Sequence, residues 1–232
     1  MYNYRARFTK EGLLRYLSHL ELIRAIERAI RRAGLPIAYT EGFHPHPRLG
    51  FGPALALGIA SVDEYFDMEL LEEIAPATIT AALNRVLPED IRILAVKRDQ
   101  NLHPKPLNAI INRVSYFCLI FCNPGWKDRI IQSFAEFFNL AEVMVERPGK
   151  TGPKQVNLRS LLTDAVVEEH GPETLGVTLT GITGSGGNLR PEEIIHWLDP
   201  GLGILSITRT GLWHEEKGLK MKPLDFCEKT GA

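Results

Sequence analysis

Residues 16–58 read YLSHLELIRAIERAIRRAGLPIAYTEGFHPHPRLGFGPALALG, and the first half of that stretch decides the fold class. Ser18 followed three residues later by Glu21 spells a capping box, in which hydroxyl and carboxylate each satisfy an amide that the first helical turn leaves open. Leu22, Ile23, Ile26, Ala29, Ile30 and Ala33 then recur at helical spacing, so one face is committed to a core. Gly34 and Leu35-Pro36 end the helix, because glycine takes the left-handed turn and proline forbids continuation. The opposite face carries Arg24, Arg28, Arg31 and Arg32, with Glu27 placed to pair with Arg31 at i,i+4. Such a stripe is commonly a solvated face. The sharper reading is a phosphate-facing surface, since guanidinium forks match phosphate geometry and a row of them follows a backbone.

Outward from the helix, residues 2–8 alternate apolar and basic, which predicts a strand with one wet, positive face. Residues 37–39 begin a second extended segment, interrupted by His44-Pro45-His46-Pro47-Arg48, because prolines deny ladder hydrogen bonds. Residues 49–58 and 65–70 read as extended, 77–86 as a helix and 91–97 as a strand. Strand, helix, two strands, helix, strand is the split βαβ, ferredoxin-like order. Residues 99–112 form a connector stiffened by Pro104 and Pro106. The order then begins again: a strand at 113–122, a helix at 126–138, a short strand at 142–146, a Gly/Pro/Lys turn from Lys150 to Pro153, an ambiguous segment at 156–167, a strand at 175–180, a helix from Pro191 to Leu198 and a closing strand at 204–210. The expectation is an α+β protein of two tandem ferredoxin-like domains, residues 1–98 and 113–216, with a basic tail at 217–232 carrying Lys217, Lys220 and Lys222.

With 44% hydrophobic and 24% charged residues in a 232-residue chain, the composition is that of an ordinary globular protein. The formal net charge of −1 means that attraction to a polyanion must come from a local patch. Residues 1–58 supply one: nine Lys and Arg against Glu11, Glu21, Glu27 and Glu41. Residues 61–73, with Asp63, Glu64, Asp67, Glu69, Glu72 and Glu73, return the charge. No apolar run approaches the roughly 18 residues of a membrane span. The first residues lack the apolar core of a secretion signal, and three cysteines do not make a disulfide framework. These features point to a cytoplasmic location away from membranes.

Three constellations invite chemistry. His19, His44 and His46 could meet over the helix start, as zinc ligands or, for His19 and His46, as a general acid and base beside a phosphodiester. The plain alternative is a cap residue and an exposed loop. Cys118 and Cys122 stand four apart on a strand and read as core thiols, because an iron–sulfur cluster needs three or four thiolates and Cys227 is a poor third. Residues 181–187, GITGSGG, tempt toward a phosphate loop. Glu192 and Glu193, however, already occupy the positive end of the following helix, though Arg190, Lys150 and Lys154 bring positive charge nearby. No catalytic or cofactor fingerprint is present, so the motifs favour a chain without an activity or cofactor of its own.

The run from Arg15 to Gly58, together with VNLRSLL at 156–162 and LRPEEI at 189–194, resembles the signature of an uncharacterised family of bacterial radical SAM-linked proteins. Departures fall at Glu21, where that family usually has Asp, and at His44, where it usually has Asn. The resemblance implies a partner, a radical SAM enzyme encoded beside or fused to the family domain, which would itself house the cluster. At the level of fold, the tandem pattern also resembles CRISPR repeat-processing endonucleases. Three functions follow. One is an accessory RNA-binding protein that presents its substrate to a radical SAM enzyme, in RNA modification for example, through Arg5, Arg7, Arg24, Arg28, Arg31, His46 and Arg48. The others are a metal-independent ribonuclease using His19 and His46, and a protein–protein adaptor without nucleic acid. The first requires the helix arginines and the histidine loop to share one positive hollow.

Overall fold

The computed structural model describes residues 1–149 and 152–228, and the chain is mixed α+β. It divides into two compact units, residues 1–112 joined by the segment from 211 onward, and residues 113–210.

In unit 1, β1 (Tyr2–Lys10) leads through a 3-10 turn into α1 (His19–Arg32). The turn depends on Gly12, whose φ of +49° is left-handed and where an added Cβ would stand 2.3 Å from the Asp90 carboxylate. That carboxylate accepts from the Leu13 amide at 3.0 Å. The capping box forms as expected: Ser18 Oγ accepts from the Glu21 amide at 3.3 Å, and Glu21 Oε2 accepts from the Ser18 amide at 2.8 Å and hydroxyl at 2.7 Å. Leu22, Ile26, Ala29 and Ile30 are the buried stripe of α1.

The next elements are β2 (Leu49–Phe51), β3 (Ala60–Leu70), α2 (Pro76–Val86), β4 (Ile93–Arg98) and the short α3 (Leu107–Ile110). The extended stretch expected at 49–58 shrinks to three residues, since Gly52-Pro53 cannot continue a ladder. β3 in turn starts earlier than the 65–70 pattern indicated. Residues 37–39 contribute only isolated bridges, Ile37 to Leu70 and Tyr39 to Pro47. β1 pairs antiparallel with β3 and β4, and β2 pairs antiparallel with β3. Along β1, Tyr4, Ala6 and Phe8 face Phe66, Met68 and Leu70 of β3 and Ile26, Ile30, Ile79 and Leu83 of the helices in one core.

Unit 2 contains β5 (Arg113–Phe121), α4 (Trp126–Asn139), the hairpin β6 (Met144–Arg147) and β7 (Lys154–Asn157), then β8 (Leu162–Gly171), β9 (Thr174–Ile182) and α5 (Pro191–Leu198). The ambiguous segment resolves into the end of β7, a 3-10 turn and β8. The turn expected from Lys150 to Pro153 falls partly outside the described residues. The strand order is β10-β5-β9-β8, where β10 (Gly203–Glu216) begins in this unit, and β6–β7 form a separate ribbon. Ile130, Phe134 and Phe137 of α4 and Ile194 and Ile195 of α5 are buried, with Phe137 edge-on to Trp197 at 5.0 Å. The bidentate bond from Arg147 to Glu193, 2.6 to 3.1 Å, ties the ribbon to the first turn of α5.

The final strand does not stop near residue 210. Its last residues, with β11 (Leu219–Met221) and a 3-10 turn at Pro223–Cys227, belong to unit 1. Residues 217–228 of the segment read from sequence as a basic tail are therefore docked: Lys97 meets Glu228 at 2.8 Å, and the Gln100 amide donates to the Cys227 carbonyl at 2.9 Å. Among the described residues no helix is long and apolar enough to cross a membrane.

Replacing Ser18 by Ala removes the hydroxyl's bonds to the Glu21 amide and carboxylate, leaves only the backbone half of the box, and costs about 1 kcal/mol, read as a lowered urea midpoint. The Ser18 hydroxyl and amide hold the Glu21 carboxyl below the usual carboxylate range. A depressed carboxyl stabilises the fold above its ordinary range and loses that contribution as pH falls through the depressed value. The Ser18→Ala variant therefore shows a shallower loss of stability on acidification than the parent.

Candidate nucleic-acid interface

Side chains alternate across a strand, so the residues of β1 between those of the core point to the opposite face of the sheet. Arg5 and Arg7 lie there, Arg5 buried and Arg7 half-buried. Arg5 is 1% exposed and grips Asp67 with two parallel bonds, Nε to Oδ1 at 2.7 Å and Nη2 to Oδ2 at 3.0 Å. Its remaining donors reach the Lys105 carbonyl and the Pro223 carbonyl, each at 2.9 Å. Burial pushes the Asp67 carboxyl above the usual range, against the pull of Arg5. Arg5 itself is held above its ordinary value: Asp67 outweighs the downward push of burial. Buried, with each guanidinium nitrogen bonded inside the protein, Arg5 cannot contact phosphate, and its expected role in nucleic-acid binding is corrected to a structural one.

Arg7 is likewise engaged. Its Nε donates to Asp63 Oδ1 at 2.6 Å. Asp63 is 0% exposed and accepts three further bonds: from the Tyr65 hydroxyl at 2.7 Å, the Leu212 amide at 2.8 Å and Lys222 Nζ at 3.0 Å. Burial first, then the Asp63 charge, drives the Tyr65 hydroxyl well above its ordinary value. This knot was not anticipated. Its signal was in the sequence, because Asp63, Tyr65, Asp67 and Glu69 share the period of Arg5 and Arg7.

Arg48 pairs with Glu69 at 3.5 Å and donates to the Tyr39 carbonyl at 3.3 Å. Glu69 pairs across from Asn3, so it lies on the face of the sheet turned away from α1. Arg24, Arg28 and Arg31, by contrast, are exposed on the solvent side of α1, opposite its buried stripe. Arg31 is 58% exposed and stands a loose 3.8 Å from Glu27. Arg32 donates to the Val86 carbonyl at the end of α2. The single hollow required of the helix arginines and the histidine loop is not formed with Arg48, which closes that loop beside Glu69 on the face turned away from α1, and Arg5 and Arg7 are bonded on that same face, so a nucleic-acid reading rests on the helix row and not on a joint hollow. What remains is a row of three arginines whose Cα atoms span about 10 Å of helix axis.

The histidines also divide. His19, the first residue of α1, stands edge-on to Phe51 at the end of β2, 5.9 Å between ring centres. His44 and His46 are exposed in the loop that precedes the other end of β2. Among the described residues no three His, Cys, Asp or Glu side chains come together for a metal ion, which corrects the His19, His44 and His46 zinc alternative. Cys118, Cys122 and Cys227 are free and buried, and burial raises the Cys118 and Cys227 thiols to about 12. Lys150 lies outside the described residues; Lys154 and Arg190 are exposed in unit 2, where Arg190 approaches Glu193 at 3.4 Å.

The loop around the histidines is built, not slack. Tyr39 bridges Pro47, the Thr40 amide donates to the His46 carbonyl at 2.9 Å, and the His46 amide donates to Thr40 Oγ1 at 3.0 Å. Its tip, Phe43, is fully exposed.

Residues 3–191 match the family described as an uncharacterized protein conserved in bacteria (DUF2344), and the chain belongs to that family. No curated protein matches it. Among solved structures it is similar to a chain of a Cbf5-Nop10-Gar1 complex, at 15% identity over 92% of this chain and 50% of that one, with a TM-score of 0.51. It is also similar to a chain of an H/ACA RNP bound to a substrate RNA containing 2'-deoxyuridine, at 14% identity over 90% and 47%, with a TM-score of 0.49. The chain spans about half the length of these structural neighbours, and at such identities the likeness concerns the fold alone.

Replacing Arg5 by Met leaves Asp67 without its cation and destabilises the protein by about 3 kcal/mol in urea denaturation. Replacing Arg5 by Met and Asp67 by Leu together recovers most of that loss, because the isolated charge is removed with its partner.

Proposed function

We propose that this protein is a non-catalytic RNA-binding subunit that presents RNA to a radical SAM enzyme, with RNA modification as the setting. The observation that carries the nucleic-acid half is the row Arg24, Arg28 and Arg31. Arg5 and Arg7 of β1 are neutralised by Asp67 and Asp63 of β3, whereas this row faces solvent, with Glu27 a loose 3.8 Å from Arg31 and Glu21 near Arg24. Guanidinium groups spaced along one helix face are suited to successive phosphates, which is where most nucleic-acid affinity resides. The partner enzyme rests on the resemblance of residues 15–58 to radical SAM-linked proteins. We also read each unit as a ferredoxin-like frame: the pairing of β4-β1-β3 with β2 in unit 1, and the order β10-β5-β9-β8 in unit 2, support it.

One observation favours the adaptor as a second reading. Leu13, Tyr16 and Leu57 are exposed and neighbouring, since the Gly58 amide donates to the Arg15 carbonyl. Apolar side chains grouped on a surface suit a protein partner.

The test is equilibrium binding of labelled RNA across a salt series. Reversing Arg24, Arg28 and Arg31 to Glu lowers affinity about 10-fold or more at moderate salt, and shallows the log–log salt slope by about 2. An unchanged slope removes the row from the interface. Co-purification of the radical SAM enzyme that survives nuclease treatment, with no RNA affinity in the isolated protein, supports the adaptor instead.

A further inference from the structure

We infer that the loop at residues 39–47 is a base-stacking finger that selects unpaired RNA, with Phe43 as its platform. This rests on the RNA reading above and adds to it a substrate class: single-stranded segments, read by an aromatic ring instead of by phosphate contacts alone.

Leaving a phenylalanine fully in water forfeits roughly 1.5–3 kcal/mol that burial would return. The scaffold beneath it is ordered. The Tyr39–Pro47 bridge, the paired bonds of Thr40 with His46, and the bond from the Arg48 amide to the Ala38 carbonyl at 2.8 Å fix the loop's root. Pro45 and Pro47 remove backbone freedom on the returning side. Gly42, at a φ of +119°, makes the bend that thrusts Phe43 outward, a conformation in which a side chain would be strained. A ring held out by a stiff root binds with little ordering cost.

The surroundings of the ring decide what it meets. An aromatic anchor for a protein pocket is usually embedded in an apolar patch. Phe43 instead stands between Gly42 and His44, with His46 also exposed and Glu41 the one carboxylate of the loop. Rings flanked by groups that can carry positive charge form the platforms on which successive bases of a single strand stack. Tyr39, partly exposed at the root, offers a second ring. Tyr39 follows Arg32 by seven residues, so the finger leaves the fold within about 25 Å of the last turn of α1.

The experiment measures binding of the full chain to a labelled 12-nucleotide single-stranded RNA and to a 12-base-pair RNA duplex. Phe43→Ala lowers single-strand affinity at least about 5-fold, with the salt slope unchanged and duplex binding unaffected; Phe43→Trp retains it. Equal single-strand affinity of Phe43→Ala and the parent overturns the finger. So does a loss in Phe43→Ala confined to capture of the radical SAM protein, which would make the ring a protein contact. Glu at Arg24, Arg28 and Arg31 tests the underlying reading separately. If that variant loses RNA and Phe43→Ala does not, the finger alone fails; if the arginine variant binds as the parent does, the RNA surface itself is wrong.

Discussion

Arg5 cannot sit inside unit 1 without Asp67, and most of that unit is arranged around this fact. A guanidinium taken out of water demands a carboxylate and partners for its remaining donors. Asp67 supplies the first from the neighbouring strand, and the connector and the returning segment supply the rest through the carbonyls of Lys105 and Pro223. Arg7 and Lys222 converge on Asp63 in the same way. Two of these bonds, Arg5 to Pro223 and Lys222 to Asp63, join parts of the chain more than 150 residues apart, and together the set closes one face of the sheet around Arg5 and Asp63. Whether they add net stability over an apolar packing is secondary. Their effect is on uniqueness, because a strand slipped by one residue would put each arginine in the core and Tyr4, Ala6 and Phe8 against carboxylates.

That internal neutralisation explains how a protein with a net charge of −1 can still present a positive surface. Asp63 and Asp67 of β3 are spent on β1 and the returning segment, and Glu69 on Arg48. A helix buries one stripe and leaves the other, and α1 has Leu22, Ile26, Ala29 and Ile30 on the first. Its cations are consequently displayed on the second. The capping box fixes where the helix begins and thereby which way the stripe points.

Much of this was legible in the residues. The limits of α1 followed from Ser18, Glu21 and Gly34; α2 and α5 followed from proline at a first turn. Local signals of this kind hold because caps and breakers act on the backbone beside them. The burial of Arg5 and the knot around Arg7 were not legible in β1 alone, because they depend on segments about 100 or more residues downstream closing over the sheet, whereas Arg48 turns to the nearby Glu69 and Tyr39. The alternation of β1 was read correctly as a strand and incorrectly as a wet face. Set beside the matching alternation of Asp63, Tyr65, Asp67 and Glu69, it would have suggested a paired interior. The row on α1 could be seen from sequence, while the exposure of Phe43 could not, since an aromatic in a loop is as often tucked under as held out.

The ionisable groups argue in the same direction. Active sites move pKa values toward the working pH so that a proton can be exchanged there. The shifts of three buried groups run the other way. Tyr65, Cys118 and Cys227 are driven up, with burial as the first cause in each. Each is thereby held protonated and inert at neutral pH. Tyr65 spends its proton on Asp63, a bond that helps close the sheet face. Perturbation here serves the interior, and the solvent side of α1 and the finger beyond it owe what they can do to charge, rigidity and an exposed ring.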